Sequence, residues 1–227
     1  MPDVGGDAIS WAIVVPVKRL SAAKSRLAVG DLRPDVALAM ALDTVRAALA
    51  CPAVQLVVAV TDEQRAVDAL HRLGAQVVDD EPDAGLNPAL RHGAQAATAD
   101  DPARAVAALS ADLPALVPNA LDRLLRAAGE HRQAVVADWS GAGTTLYAAR
   151  TTALFLPSYG AESRAAHVAG GAVDLTELAS EQVRHDVDTV ADLRAVAGLG
   201  CGPATTALLR RHPALLLGCG EEGGARH

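Results

Sequence analysis

Two short runs with almost no polar residue constrain this chain more than any other feature. Ile9 to Pro16 (I-S-W-A-I-V-V-P) and Val54 to Val60 (V-Q-L-V-V-A-V) have the length of strands and no water-facing side. A strand that is apolar on both faces must be covered on both, as in a parallel sheet flanked by helices. Helical patterns fall between such runs. Pro34 begins a helix with Val36, Met40, Val45 and Leu49 on one face, stopped at Cys51-Pro52. Thr61 or Asp62 is placed to cap a second helix that runs to Leu73 and ends at Gly74. A short strand (Gln76 to Val78) and a polar loop (Asp79 to Leu86) come next, and Asn87-Pro88 then starts a helix reaching about Thr98. Ala105 to Leu109, a helix from Pro118 to about Ala128, and Ala134 to Ala137 continue the alternation. The rhythm predicts an α/β fold, a mostly parallel sheet with helices on both faces. Ligands of such sheets collect beyond the carboxyl ends of the strands.

The last third is less regular. A Gly141-Ala142-Gly143 turn, a strand near Thr145 to Ala148 and a loop from Tyr159 to Ser163 are followed by an expected strand, Gln182 to Val187. A helix from Thr189 to Ala197 comes after it, and residues past Pro213 read as a tail. The expected organisation is one domain, 1–212, with a disordered C-terminal segment, 213–227.

Composition narrows the partners. The net charge of -7 argues against a general nucleic-acid binder or a polybasic membrane anchor. Aromatic residues make up 2% of the chain, too few for a base-stacking platform. No apolar run is long enough to span a bilayer. Cys51, Cys201 and Cys219 lack metal-ligand spacing and read as thiols of a reducing cytoplasm. The seven histidines form no H-x-x-x-H pair and read as surface or packing residues. Neither a P-loop, a G-x-G-x-x-G fingerprint nor a G-x-S-x-G elbow is present.

The charge is nevertheless distributed unevenly. Only two of the 20 basic residues are lysines, and both Lys18 and Lys24 fall in V-P-V-K-R-L-S-A-A-K-S-R-L at 15–27, directly after the first strand. With Arg19 and Arg26 they form a cationic group without a carboxylate, either a solvated loop or a polyphosphate site. Carboxylates able to hold a divalent cation follow later strands. Asp112 lies at the end of the fourth, and Asp186-Val187-Asp188 places two carboxylates on one face of the expected late strand. Oxygen ligands of this kind suit Mg²⁺, which bridges substrate phosphates. Asp188 also fits a helix cap, because Thr189-x-x-Asp192 is a capping-box pattern. Gly141 to Thr145 and Gly160 to Ser163 offer amides and hydroxyls for an anion, or an ordinary turn and cap.

Six segments, in order, resemble the 2-phospho-L-lactate or phosphoenolpyruvate guanylyltransferase family of coenzyme F-420 biosynthesis. They are the motif at 15–27, D-E-P-D-A-G-L-N-P-A-L at 80–90, A-D-L-P-A-L at 111–116, G-A-G-T-T-L at 141–146, Y-G-A-E-S-R-A-A-H at 159–167 and H-D-V-D-T-V-A-D-L at 185–193. The resemblance implies a Rossmann-like nucleotidyltransferase fold of the nucleotide-diphospho-sugar transferase type. It implies that Lys18, Lys24 and Arg26 grip the GTP triphosphate, with Leu86 and Asn87 near the nucleoside. Asp112, Asp186 and Asp188 would hold Mg²⁺, with Asp112 counted among the catalytic groups alongside the three cations. Thr144, Gly160 and Ser163 match positions that bind the acceptor, a phosphorylated three-carbon acid, and the product would pass to the next enzyme of the pathway. Two departures stand out: Ala111 precedes Asp112 where the family often has Gly, and Arg164 follows Ser163 where a small residue is usual. A molybdopterin guanylyltransferase would open on a Gly-rich loop that Pro16-Val17-Lys18 replaces, and a D-x-D glycosyltransferase would carry its pair nearer mid-chain. A nucleotide-sensing domain is the non-enzymatic alternative.

Overall fold

The computed structural model describes residues 9–17, 29–81 and 83–217. Strands β1 (Trp11–Pro16), β2 (Val54–Val60), β3 (Gln76–Val78) and β4 (Ala105–Leu109) run parallel in the order β3-β2-β1-β4. β1 lies inside this group, which explains its unbroken apolar run. Trp11, Ile13 and Val15 enter one core and Ala12 and Val14 the other, the two-residue alternation of a strand. The first core takes Val45 of α1 (Arg33–Leu49), Leu70 of α2 (Gln64–Leu73) and Leu121 of α4 (Pro118–Gly129). The second takes Leu90 and Ala94 of α3 (Leu86–Ala97). Gly93 allows α3 to approach closely, since a Cβ there would lie 2.6 Å from side-chain atoms of both Val14 and Val60.

The second half departs from the expected parallel order. β5 (Gln133–Ala137) does not pair with β4, because β6 (Thr144–Ala149) inserts between them, antiparallel to both. β7 (Val173–Asp174) closes the edge beside β5. The strand expected at Gln182 to Val187 is not formed. A one-turn helix, α6 (Glu181–Arg184), begins there, although Val183, His185 and Val187 are buried in alternation. The alternation is that of a strand, but the amides turn back on the preceding residues, Val183 N–H to the Ser180 carbonyl at 3.0 Å and His185 N–H to that of Glu181 at 2.9 Å, so no ladder forms.

The helix starts also differ in detail. α2 begins after Glu63, while Thr61 Oγ1 accepts the Glu63 N–H at 3.1 Å and Asp62 accepts the Asp80 N–H at 2.8 Å. α3 begins after Gly85, with Asn87 already inside its first turn. Gly74 ends α2 in the left-handed region, at φ 99°, where glycine is unstrained. α7 (Val190–Leu199) carries the capping box, Thr189 and Asp192 each holding the other's backbone N–H. Asp188 is therefore not the cap.

A third core joins Val36 and Met40 of α1 to Leu193 and Val196 of α7 and to Leu208 of α8 (Pro203–Arg211). The stretch expected as a tail opens with a 3-10 turn, Pro213–Leu215, whose Leu215 is buried in the same core. Asp43 supplies the polar joint. Its buried carboxylate accepts the N–H groups of Ala204 (2.9 Å) and Thr205 (2.7 Å), satisfying the first turn of α8 from another helix, and meets Arg46 at 3.0 Å. Gly202 leaves room for this carboxylate; a Cβ there would sit 2.5 Å from Asp43 Cγ. Asp43→Ala strands two amides and is expected to lower stability by about 3 kcal/mol. Urea unfolding measures it, and an unchanged midpoint would refute the role.

Candidate active site at the carboxyl edge of the sheet

The antiparallel insertion of β6 has a direct consequence for this edge. A strand running against its neighbours begins where they end, so Thr144 starts beside the ends of β4 and β5. Ser110, just past β4, donates its N–H to the Thr145 carbonyl at 2.9 Å. The segment Ala111-Asp112-Leu113 follows and is gripped from below by α1. Thr44 Oγ1 accepts the Leu113 N–H at 3.1 Å and lies 3.1 Å from the Ala111 carbonyl and 3.0 Å from that of Met40. One buried hydroxyl thus brackets Asp112 on both sides.

The carboxylates of Asp112, Asp186 and Asp188 converge, with one oxygen from each lying within 4.8 Å of the others. They meet because Val187 donates its N–H to the Asp112 carbonyl at 3.2 Å, so residues 186–188 cross the end of β4. The expected pair is therefore real, although the expected strand is not. The run before it is pinned to the end of β5: the Arg184 guanidinium donates to the Asp138 carbonyl at 3.0 Å, and His185 stacks on Trp139 at 4.8 Å. Three hard oxygen donors, two half-buried and one exposed, fit a divalent cation that keeps water and phosphate ligands.

A second group of residues forms around a histidine. Thr144 is buried, and its Oγ1 lies 3.1 Å from Nδ1 of His167 on α5 (Ser163–Ala169). The other ring nitrogen, Nε2, accepts the Ser158 N–H at 2.9 Å. Ser163 is buried one helical turn before His167, as the first residue of the helix rather than its cap. Gly160 is exposed in the loop between them. Tyr147 stacks on the imidazole at 4.3 Å, and Tyr159 meets it edge-on at 5.2 Å. Burial pushes the His167 pKa down to about 4, opposed only in part by the Ser163 backbone. The Tyr147 hydroxyl donates to the Leu154 carbonyl at 3.2 Å and so anchors the start of this loop.

Leu86 and Asn87 open α3 at the same edge and are half-buried. The Asn87 amide is committed: Nδ2 donates to the Tyr159 carbonyl at 3.0 Å and Oδ1 accepts the Tyr159 N–H at 2.8 Å. These are the two polar atoms that a guanine edge would need, so the residue joins α3 to the loop carrying Gly160. The Gly141 turn proves to be a hairpin connection, with the Asp138 carboxylate accepting the Gly141 N–H at 2.8 Å. An acceptor carboxylate already placed among the turn amides disfavours an anion there. Lys18, Lys24 and Arg26 lie outside the described residues.

Sequence reasoning missed Thr44 and His167. A threonine on the buried face of an otherwise apolar helix was the available signal for the first. The second stood inside the 159–167 segment but was read with the other histidines as packing.

The family model described as "Guanylyl transferase CofC like" matches residues 11–211. The phosphoenolpyruvate guanylyltransferase of Thermomonospora curvata is 51% identical over 218 residues, covering 95% of this chain and 96% of the relative. That of Streptomyces coelicolor is 52% identical over 206 residues, covering 89% and 97%. Among solved structures, a Desulfovibrio desulfuricans protein provisionally described as a nucleotide-diphospho-sugar transferase aligns with a TM-score of 0.67 at 18% identity, covering 92% of this chain and 97% of that one. 4-Diphosphocytidyl-2C-methyl-D-erythritol synthase aligns at 0.57 and 14%, covering 84% and 99%. Those two likenesses bear on the fold, which is the expected Rossmann-like nucleotidyltransferase type. With a family model spanning the whole sheet and relatives sharing half its residues, the chain belongs to the CofC-like guanylyl transferases.

Proposed function

We propose that this protein transfers GMP from GTP to the phosphate of phosphoenolpyruvate, yielding enolpyruvyl-diphospho-5'-guanosine and pyrophosphate for coenzyme F-420 biosynthesis. The observation that carries the reading is the convergence of Asp112, Asp186 and Asp188 at the carboxyl edge of the sheet. The acceptor choice is supported by relatives about half identical that are named phosphoenolpyruvate guanylyltransferases. In this reading Lys18, Lys24 and Arg26, which follow β1 in sequence, contact the triphosphate, with Leu86 and Asn87 at the nucleoside end. Thr144, Gly160 and Ser163 take the acceptor. Residues 1–212 are one guanylyltransferase domain, and the product goes to the next enzyme of the pathway in the cytoplasm. No helix among the described residues is long and apolar enough to cross a membrane.

An acceptor phosphate oxygen, already anionic near neutral pH, attacks the α-phosphorus of GTP. The bond from that phosphorus to the bridging oxygen breaks, and pyrophosphate leaves with the electron pair. No protein nucleophile or general base is required. The work of the chain is to align the two anions and offset their charge. Asp112, Asp186 and Asp188 would hold Mg²⁺, which supplies charge neutralisation and orientation of phosphate oxygens when bound. The Lys and Arg side chains add fixed positive charge on the triphosphate.

Incubating the protein with GTP, Mg²⁺ and, separately, phosphoenolpyruvate, 2-phospho-L-lactate or 3-phospho-D-glycerate tests the acceptor by product mass. The phosphoenolpyruvate adduct should form fastest, and equal or faster turnover of another acid would overturn the choice. GTP binding without pyrophosphate release in every mixture would instead support a sensing domain. Asp112→Asn should keep the fold by circular dichroism and lower kcat by about a hundredfold or more; unchanged turnover would remove Asp112 from the mechanism. Thr44→Val, which frees the loop around Asp112, should raise the Mg²⁺ concentration needed for half-maximal rate by about tenfold or more. An unaltered Mg²⁺ dependence would deny Thr44 that role.

A further inference from the structure

The imidazole of His167 has its hydrogen-bond directions set by its neighbours. The Ser158 amide can only donate, so Nε2, 2.9 Å away, must be an unprotonated acceptor. Burial keeps the ring neutral near physiological pH, as the depressed pKa also indicates. A neutral ring with a bare Nε2 carries its proton on Nδ1, which faces Thr144 Oγ1 at 3.1 Å and, one turn back, the Ser163 backbone. The hydroxyl receives that proton as an acceptor, and its own O–H is left to donate elsewhere. Tyr147 and Tyr159 hold the ring from its face and its edge.

We propose that His167 is the positioning residue of the acceptor subsite: bound to the Ser158 amide through Nε2 and donating Nδ1–H to Thr144, it obliges the Thr144 hydroxyl to donate to an anionic oxygen of the phosphorylated acid. This rests on the reading of Thr144, Gly160 and Ser163 as acceptor contacts. One ring thereby sets all three. It orients the Thr144 hydroxyl directly, fixes Ser158 two residues before Gly160, and stands on the same helix one turn after Ser163. A hydroxyl that must donate favours carboxylate or phosphate oxygens and disfavours ligand groups that are themselves obligatory donors.

Nitrogen-15 histidine spectra of the unaltered protein near neutral pH test the first half of the argument. The expected signal is a neutral Nδ1–H ring for His167, and an Nε2–H or doubly protonated ring would overturn it. Steady-state kinetics test the second half. Thr144→Val and His167→Phe should each raise the acceptor KM by about tenfold with the GTP KM unchanged. The double variant should be no worse than the more damaged single one, because both changes remove the same directed bond. Additive losses, or equal losses for GTP, would overturn the positioning role. Absence of turnover with all three acids by the unaltered enzyme overturns the functional reading itself, whereas turnover with the wrong tautomer overturns only the part given to His167.

Discussion

Because β6 runs against both of its neighbours, its first residue rather than its last reaches the edge where the parallel strands finish. The rest of the site depends on that reversal. It sets Thr144 beside the segment leaving β4, so the three carboxylates and the Thr144–His167 group occupy one edge of one sheet. A parallel β6 would have put Thr144 at the opposite edge, with the same composition and the same core. The reversal is possible because β5 and β6 are joined by a short hairpin at Asp138 to Gly143, whereas a parallel neighbour would need a crossover of a dozen or more residues.

Around this sheet the apolar cores supply adhesion without direction, and a few buried polar side chains supply the direction. Asp43 seats α8, Thr44 brackets Asp112, Asn87 clasps Tyr159, and His167 takes Ser158 and Thr144. Each bonds at least one backbone group of a segment without regular structure, or of a helix's first turn, where amides have no partner within the element. Burying such groups unpaired would be costly, so these loops keep a single arrangement. Phosphoryl transfer by alignment and charge demands that arrangement more than it demands a reactive side chain.

The strands β2, β3 and β4 were legible residue for residue, because short apolar runs are punctuated by helix starts and stops. The late segment was not. Val183, His185 and Val187 are buried in the alternation of a strand, yet the amides of Val183 and His185 bond back to Ser180 and Glu181 and not to a neighbouring strand. The three aspartates named as candidates nevertheless lie together in the fold, although only Asp112 follows a strand. Thr44 and His167 escaped notice because a lone threonine or histidine in an apolar helical pattern has many ordinary explanations, and nothing local says what lies across the core.

The sequence by itself determined the α/β class, the covering of β1 on both faces, the place of Asp112 just past a strand and the family resemblance. The first three follow from local periodicity and residue type, and the resemblance from six motifs met in order. Only the tertiary structure decided the reversed β6, the contact of Val187 with Asp112, and the use of Asn87 as a clasp instead of a cap. Those are pairings between residues far apart in the chain. Their physical basis is the satisfaction of particular backbone donors and acceptors at the sheet edge, which no single segment can specify.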